Sequence, residues 1–407
     1  MRTPLFVSVA VSISMLACSR KEAAPAPPEA ETPRAVQPPS PPVDPACVLP
    51  ATSILSSDVV IKEGCRVAVE RSYQVQNGAT LTLEPGARLS FQTGTHLWIE
   101  YGRLVAKGTE QRPVVFTSTN EKTPVAGEWG GIVFGERTLA GTVLDHVTIE
   151  YAGRRGAHAD GAITFYGAVR DASVSITAST IRHDDQAGVS IPLGEASPLL
   201  AFEGNTLEDN AGTSLRVPGD ALSALGAMNK LGDPIRIQGP ITKAASWPAL
   251  DVPIVVEGAM AIAGKTERAI LKLADGTTMR FAKGQQLYVG GGVGGAIVAK
   301  GALFTSAVSS PANPAIGDWK GIVFEGGLDE TSLDGCTFEY SGREGSGVIV
   351  LDFAVPKGGF VAKKGVGMKG NTFRNNAGPA FWAAGDCGEL GKDKLGNVSE
   401  GQPLCKE

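Results

Sequence analysis

The strongest constraint on this chain is that one block of its sequence occurs twice, about 190 positions apart. The first copy reads Gly-Glu-Trp-Gly-Gly-Ile-Val-Phe at 127–134, and the second reads Gly-Asp-Trp-Lys-Gly-Ile-Val-Phe at 317–324. Segments that share Glu-Tyr-x-Gly-Arg follow both copies, at 150–154 and 339–343. Two matched blocks at nearly one offset indicate an internal duplication.

A shorter repeat lies inside each half. The segments at 179–188, 205–212 and 371–378 resemble one another, and the last two share Asn-Thr and Asn-Ala-Gly. Thr180 and Thr206 are 26 positions apart, and Thr372 lies 24 positions short of the 190-residue offset from Thr206. The first half therefore carries one extra unit of about two dozen residues. Units of this size that are gained or lost singly are typical of solenoid coils.

The local pattern predicts many short strands. Apolar residues alternate with polar ones in short runs separated by Gly, Asn and Asp, and the chain has 52 glycines. The run at 81–91 reads as strand, Pro-Gly turn, strand. If successive coils pair as parallel strands, the inward residues form one apolar column. We expect Ile132, Ile149, Phe324 and Phe338 in that column, with Cys336 beside Phe338.

Five segments share a pattern: Leu-Glu-Pro-Gly at 83–86, Val-Ala-Lys-Gly-Thr at 105–109, Phe-Thr-Ser at 116–118, and the segments at 127–132 and 149–153. They resemble right-handed parallel β-helix proteins of the pectin-lyase-like kind, in particular a repeat family of bacterial extracellular proteins and lipoproteins. The resemblance covers roughly residues 66–383. It implies an all-β, right-handed parallel β-helix solenoid, a fold that hosts lyases, hydrolases, adhesins and passive spacers.

The N-terminus predicts export. Residues 1–17 read as a signal peptide, because Arg2 precedes an uncharged run from Leu5 to Ala17. The segment 15–18, Met-Leu-Ala-Cys, resembles the bacterial lipobox, which implies lipid attachment at Cys18 and a membrane anchor. Ser19 then implies sorting to the outer membrane. The alternative is an ordinary secretory signal with an incidental cysteine.

Residues 18–46 are predicted to be a linker between the lipidated cysteine and the folded part. Nine prolines lie between residues 23 and 46, and such a segment prefers an extended polyproline helix to a packed core. It is either a stalk or a disordered spacer. We expect two β-helix units beyond it, at 47–232 and 233–407.

Two cysteine pairs are predicted to be disulfides. Cys47 and Cys65 are 18 positions apart, and so are Cys387 and Cys405. Local pairs of this kind outside the cytoplasm usually form disulfides, here at the two ends of the folded region. Cys336 is left over and aligns with an apolar position of the first copy, so we expect it to be free and buried.

One segment is a candidate for hydrolase chemistry. Arg-His-Asp-Asp at 182–185 places His183, Asp184 and Asp185 together, and two carboxylates serve as general acid and base when their environments separate their pKa values. The alternative needs no chemistry. The segment occupies the same corner as Glu-Asp-Asn at 208–210 and Arg-Asn-Asn at 374–376.

A lyase-like site has a second set of candidates. Glu150 with Arg154, and Glu339 with Arg343, would supply acidic groups and a basic residue. The alternative is that these residues are solvated surface pairs that were copied in the duplication. The four histidines show no ligand spacing, so we expect no metal and no other cofactor. A net charge of −5 argues against nucleic acid as a partner.

The leading functional interpretation is a membrane-anchored, non-enzymatic β-helix lipoprotein, expected at the outer membrane, that acts as a binding or structural module of the cell envelope. Its partners would be the membrane, through the lipid, and a polysaccharide or another envelope protein. One alternative is a carbohydrate-active enzyme, a polysaccharide lyase or hydrolase, or a polysaccharide-binding protein. A further alternative is an adhesin.

Overall fold

The predicted strands stack into a right-handed parallel β-helix. The computed structural model describes residues 47–156, 160–167, 173–192, 198–308, 312–342, 346–353, 367–383, 387 and 395–406. The predicted signal peptide, Cys18 and the linker lie outside these residues. Within the described residues no helix is long and apolar enough to cross a membrane.

One long sheet, sheet 1, contributes a strand to every coil. Its 14 strands, all paired in parallel, run in this order: β1 (Ile54–Leu55), β4 (Tyr73–Val75), β7 (Leu97–Ile99), β10 (Ile132–Phe134), β13 (Gly161–Phe165), β16 (Ala187–Ser190), β19 (Leu215–Pro218), β21 (Ile235–Gln238), β23 (Ile254–Val256), β26 (Thr278–Phe281), β29 (Leu303–Ser306), β32 (Thr337–Glu339), β35 (Thr372–Arg374) and β37 (Val398–Ser399). The sheet crosses the boundary at 232, so the described residues form one continuous solenoid.

Two further sheets complete the coils of the first half. Sheet 2 contains β2 (Val59–Ile61), β5 (Thr80–Leu83), β8 (Arg103–Lys107), β11 (Thr142–Asp145), β14 (Val174–Thr177) and β17 (Leu199–Glu203). Sheet 3 contains β3 (Arg66–Val69), β6 (Arg88–Phe91), β9 (Val114–Ser118), β12 (Val147–Glu150), β15 (Thr180–Arg182), β18 (Thr206–Glu208) and β20 (Lys230–Leu231). Each coil visits sheets 1, 2 and 3 in turn.

Sheets 4 and 5 replace sheets 2 and 3 in the second half. Sheet 4 contains β24 (Met260–Ile262), β27 (Leu287–Gly290), β30 (Ile322–Glu325), β33 (Ile349–Asp352), β36 (Phe381–Ala383) and β38 (Cys405–Lys406). Sheet 5 contains β22 (Ala245–Trp247), β25 (Ala269–Leu273), β28 (Gly295–Lys300), β31 (Ser332–Asp334) and β34 (Gly367–Lys369). A short 3-10 helix, Gly219–Ala224, lies at the change from one set to the other.

The core is the predicted apolar column. Ile132, Ile149, Phe324 and Phe338 are all 1% exposed or less, which confirms their inward orientation. Parallel register places like side chains above one another: Phe338 stacks on both Phe304 and Phe373 with ring centroids 4.9 Å apart. Each coil therefore buries its apolar face against its neighbours, and a polar inward substitution would affect several coils.

The two copies of the duplicated block lie on different faces of the helix. Strand β10 of the first copy belongs to sheet 1, whereas its counterpart β30 belongs to sheet 4. Likewise β12 belongs to sheet 3 and its counterpart β32 to sheet 1. Along sheet 1, β29 lies seven coils beyond β10, and β30 comes next in the chain. The second copy is thus seven coils and one face further on, and matching outward residues point in different directions.

Buried asparagines join successive coils at the corners. The backbone N–H of Ser179 donates to Asn205 Oδ1 at 3.0 Å, and that of Asn205 donates to Asn229 Oδ1 at 3.0 Å. In the second half Cys336 N–H donates to Asn371 Oδ1 at 2.8 Å. Asp209 and Asn375 take the left-handed backbone that is typical of turn residues. The side chains of Asn210 and Asn376, which follow them, are buried and bond to neighbouring coils.

The predicted disulfides are confirmed. Cys47 is bonded to Cys65, next to β3, and Cys387 is bonded to Cys405 in β38. Cys336 is free and fully buried, as predicted. Burial raises the pKa of its thiol to about 11, so the group is protonated and unreactive at neutral pH. The disulfides tie down the terminal segments, which have a neighbouring coil on one side only.

Candidate functional site

The four residues of the Arg-His-Asp-Asp segment do not converge on one site. Arg182 ends β15 and points outward, and His183 takes left-handed backbone and stacks on Tyr151 with ring centroids 5.5 Å apart. Asp184 turns into the protein, where it is 1% exposed, and Asp185 returns to the surface. Extended geometry alone would place Asp184 on the same side of the backbone as Arg182, so the left-handed backbone at His183 breaks the alternation and turns Asp184 inward.

Asp184 is a buried acid with one unsatisfied oxygen. Its Oδ1 accepts a hydrogen bond from Ala152 N–H at 2.6 Å, while no described residue donates to Oδ2. Burial raises its pKa well above the ordinary value; the Ala152 hydrogen bond opposes this rise and the nearby Glu150 carboxylate adds to it. The side chain lies inside the solenoid, so it is out of reach of a substrate on the surface.

Glu150 is held between coils. Arg182 donates to Glu150 Oε2 from Nε at 3.2 Å and from Nη2 at 3.0 Å, and Thr117 Oγ1 donates to Oε1 at 3.0 Å. The carboxylate side chain is only 11% exposed. The predicted pairing with Arg154 is wrong: that arginine is exposed, because the chain turns at the corner after Tyr151, whereas β12 and β15 pair in register and bring Glu150 beside Arg182.

The second copy keeps the same arrangement on another face. Arg374 donates to Glu339 Oε1 from Nε at 2.6 Å, and Thr305 Oγ1 donates to Oε2 at 3.2 Å. The hydrogen bond with Glu339 raises the pKa of Arg374. Arg343, the predicted partner, lies outside the described residues. Both glutamates therefore have both carboxylate oxygens occupied by neighbouring coils, which is a structural arrangement.

The repeated Gly-Glu/Asp-Trp block is structural as well. Trp129 is fully buried, stacks on Phe91 at 4.1 Å, and donates from Nε1 to the Glu150 carbonyl at 2.9 Å. Trp319 repeats this with Phe281 at 4.2 Å and the Glu339 carbonyl at 2.8 Å. The tryptophans fix the corner that follows each glutamate strand.

A polar pocket lies at the corner between sheets 3 and 1. Four successive coils build it, since its residues come from the turns after β12, β15 and β18 and from β16, β19 and β21. Its volume is about 270 Å³. The lining residues are Arg155, Asp160, Asp185, Gln186, Ala187, Ala211, Thr213, Arg216 and Arg236. Among the predicted site residues that the structure describes, Asp185 alone lines this pocket.

Ion pairs satisfy most of the charged groups around the pocket. Arg155 Nε donates to Asp185 Oδ2 at 3.3 Å. Arg236 Nη1 donates to Glu257 Oε1 at 2.5 Å, and its Nε to the Gly212 carbonyl at 3.4 Å. Arg216 Nε lies 3.6 Å from Glu257 Oε2, and no described residue accepts a hydrogen bond from this Nε. The guanidinium of Arg216 therefore has N–H donors without a hydrogen-bond acceptor among the described residues.

The sequence did not point to these arginines, because they come from separate coils. One signal was present: Leu-Arg-Val at 215–217 and Ile-Arg-Ile at 235–237 repeat an apolar-Arg-apolar pattern. In the structure Arg216 and Arg236 are in-register neighbours on β19 and β21. Among the described residues, no group of three His, Cys, Asp or Glu side chains is placed to hold a metal ion.

Comparison with known families supports the fold. A family model described as a pectate-lyase-like β-helix domain matches residues 53–177. Together with the parallel sheets, this match supports a pectin-lyase-like β-helix. The matched region contains Glu150 and Arg155 and ends before Asp185, Arg216 and Arg236. Neither the curated proteins nor the solved structures yielded a match to the chain.

Proposed function

We propose that this chain is a membrane-anchored, non-enzymatic β-helix module that binds or supports components of the cell envelope. One observation carries the proposal. The carboxylates predicted as catalytic candidates stabilise the coils: Glu150 and Glu339 accept from an arginine and a threonine of neighbouring strands, and Asp184 is buried. A general acid or base must reach the substrate proton within hydrogen-bond distance, and these groups face protein instead.

The anchor rests on the N-terminal sequence. The lipobox-like segment ending at Cys18 and the proline-rich residues 18–46 support a lipid-anchored head held away from the membrane, at the outer membrane if Ser19 directs sorting. A single acyl chain gives only marginal membrane binding, so stable anchoring requires more than one chain.

A second function is favoured by the corner pocket. It holds Asp160 and Asp185 beside three arginines, a set that suits binding of a polar, charged sugar. The description of the matching family also favours a polysaccharide-binding or carbohydrate-active protein. The first proposal excludes cleavage of a bound polysaccharide, whereas the second includes an enzyme that cleaves it.

Two measurements on the full chain test the proposal. Fatty-acid labelling and membrane fractionation should show a labelled protein in the envelope, and Cys18→Ser should lose the label and leave the membrane fraction or remain unprocessed. Assays for reducing ends and unsaturated products should show no turnover of envelope or plant polysaccharides. Unchanged labelling in Cys18→Ser contradicts the anchor, and any product contradicts the non-enzymatic role. Retention on a purified envelope protein, without glycan binding, would favour the adhesin.

A further inference from the structure

We infer that an outward apolar ribbon on sheet 4 binds an extended, basic segment of another protein. The ribbon consists of four side chains, one from each of four successive strands: Tyr288, Val323, Val350 and Trp382. The inference rests on the proposed binding role and deepens it, because it names the class of partner.

The ribbon is a continuous row because its strands pair in register. Tyr288 lies beside Val323, Val323 beside Val350, and Val350 beside Trp382. The residues before and after each of the four are buried in the core, so these four side chains point outward. Tyr288 is 45% exposed, and the other three are partly exposed. Single apolar residues at a surface need no explanation, whereas a contiguous row marks an interaction site.

The first copy of the duplicated block covers the equivalent row with its own side chains. Trp98 and Val133 are neighbours in that row, on β7 and β10. The ring of Trp98 lies 5.3 Å from the ring of Tyr166, and Val133 is fully buried. Gly135 leaves room for the indole, because a Cβ atom there would lie 3.1 Å from Trp98 Nε1. The first copy therefore covers its valine without a partner.

The second copy carries two acids in place of this cover. Glu325 stands at the position of Gly135, and Asp352 at the position of Tyr166. Both acids are exposed and lie side by side on β30 and β33, and no described cation pairs with either. Like charges directly opposite each other on paired strands are destabilising. A partner that brings Lys or Arg side chains to the ribbon would relieve this repulsion.

The dimensions favour one extended segment over a second copy of this chain. A strand spacing of about 4.8 Å puts Tyr288 about 14 Å from Trp382, and an extended segment that rises about 3.3 Å per residue covers that distance in about four residues. The ribbon offers on the order of 150 Å², whereas a stable dimer buries about 800 Å² per subunit. We therefore expect a segment with apolar residues at alternate positions and Lys or Arg between them.

Fluorescence anisotropy with a labelled heptapeptide, Lys-Leu-Lys-Val-Lys-Leu-Lys, tests the inference on the full chain in phosphatidylcholine nanodiscs, with empty discs as the blank. One comparison peptide has Glu in place of every Lys, and another has the same residues with the apolar ones adjacent. We expect the alternating basic peptide to bind about tenfold more tightly than either, and its affinity to fall as salt is added.

Substitutions on the ribbon should weaken this binding. Tyr288→Ser and Trp382→Ser should each cost about tenfold in affinity through lost apolar contact. Glu325→Gln combined with Asp352→Asn should weaken binding and reduce its salt dependence. The matched control is Trp98→Ser, which removes the aromatic residue at the position of Tyr288 in the first copy and should leave affinity unchanged. Denaturation midpoints check that each variant is folded.

The inference is overturned if the basic peptide does not bind, if either comparison peptide binds equally well, or if Trp98→Ser weakens binding as much as Tyr288→Ser. It is also overturned if brominated phosphatidylcholine quenches tryptophan fluorescence in the wild type and not in Trp382→Ser, because the ribbon would then face lipid. Failure of peptide binding leaves fatty-acid labelling and the absence of turnover unaffected, whereas loss of the anchor or product formation refutes the proposed function with the peptide still bound.

Discussion

The substitution Asp184→Asn should stabilise the protein, because the position is built for an asparagine. In the equivalent corners, Asn210 Nδ2 donates to the Ile181 carbonyl at 3.2 Å and Asn376 Nδ2 donates to the Phe338 carbonyl at 3.0 Å. By strand register the matching acceptor for residue 184 is the Ile149 carbonyl. An ionised Asp184 places an oxygen where a donor belongs, whereas a protonated Asp184 can donate as the amide does.

The gain in unfolding free energy from Asp184→Asn depends on pH, and its sign follows from the raised pKa of Asp184. An unfolded aspartate has a pKa of about 3.9, and burial raises the pKa of Asp184 well above that in the folded protein. The stabilising effect of the protonated form is complete below about pH 4 and is lost as the pH rises through the folded pKa. The asparagine has no such loss. Since an unsatisfied buried acceptor costs about 1–3 kcal/mol, the variant should gain about 1–3 kcal/mol at pH 8 and close to nothing at pH 4.

Denaturant unfolding of the full chain at pH 4, 6 and 8, followed by tryptophan fluorescence, measures this gain. The matched control is Asp185→Asn, one residue further on, where the carboxylate is 38% exposed and paired with an exposed arginine. That change should stay within about 0.5 kcal/mol. The reasoning is refuted if Asp184→Asn destabilises the protein at pH 8, or if its gain does not change between pH 4 and pH 8.

Three further predictions concern the apolar core, the buried thiol and the two disulfide bonds. Ile149→Asp buries a charge without a partner in the apolar column, so unfolding free energy should fall by about 3 kcal/mol or more, and wild-type stability in that variant would refute the strand register. Cys336 should resist alkylation in the folded protein, because a thiol with a pKa of about 11 is thiolate only to about one part in a thousand at pH 8; rapid labelling without unfolding would contradict its burial. Opening the Cys47–Cys65 or the Cys387–Cys405 bond, each closing a separation of 18 residues, should cost about 3 kcal/mol by the loop-entropy model, and paired Cys→Ser variants with unchanged denaturation midpoints would argue against that role.

The sequence predicted the fold because the pattern is local. Alternating apolar residues such as Ile149 and Phe338 mark the inward face of each strand without any knowledge of neighbouring coils. Disulfide pairing was equally accessible, since each partner lies 18 residues from the other at one end of the folded region. Burial of Cys336 followed from its alignment with an apolar position of the first copy.

Features that depend on which coils are neighbours were not predicted. Glu150 was paired with Arg154 by proximity in sequence, whereas its partner is Arg182, one full coil and 32 residues away. The hydrogen bonds of the corner asparagines were missed for the same reason, because Asn205 bonds to residues of the coils on both sides. The offset of about 190 residues between the two copies also does not show how many coils separate them. The change of face between the two copies becomes visible only when the coils are traced.

The candidate site was predicted least well. Of the seven residues proposed from sequence, Asp185 alone among the described ones lines the corner pocket. Arg216 and Arg236 lie on strands whose outward residues looked like ordinary surface charge. Their significance comes from the unspent donors of Arg216, which depend on the position of Glu257 two strands away.

The central claim is that the duplicated acids Glu150 and Glu339 stabilise coils and perform no chemistry, and paired stability and turnover measurements on Glu150→Gln and Glu339→Gln test it most directly. Each change removes a charge-assisted pair with an arginine, so the unfolding free energy should fall by about 1–3 kcal/mol, while assays for reducing ends and unsaturated products stay at background for both variants and the wild type. A wild-type protein that releases products, together with a fully stable Glu150→Gln or Glu339→Gln that does not, would contradict the claim.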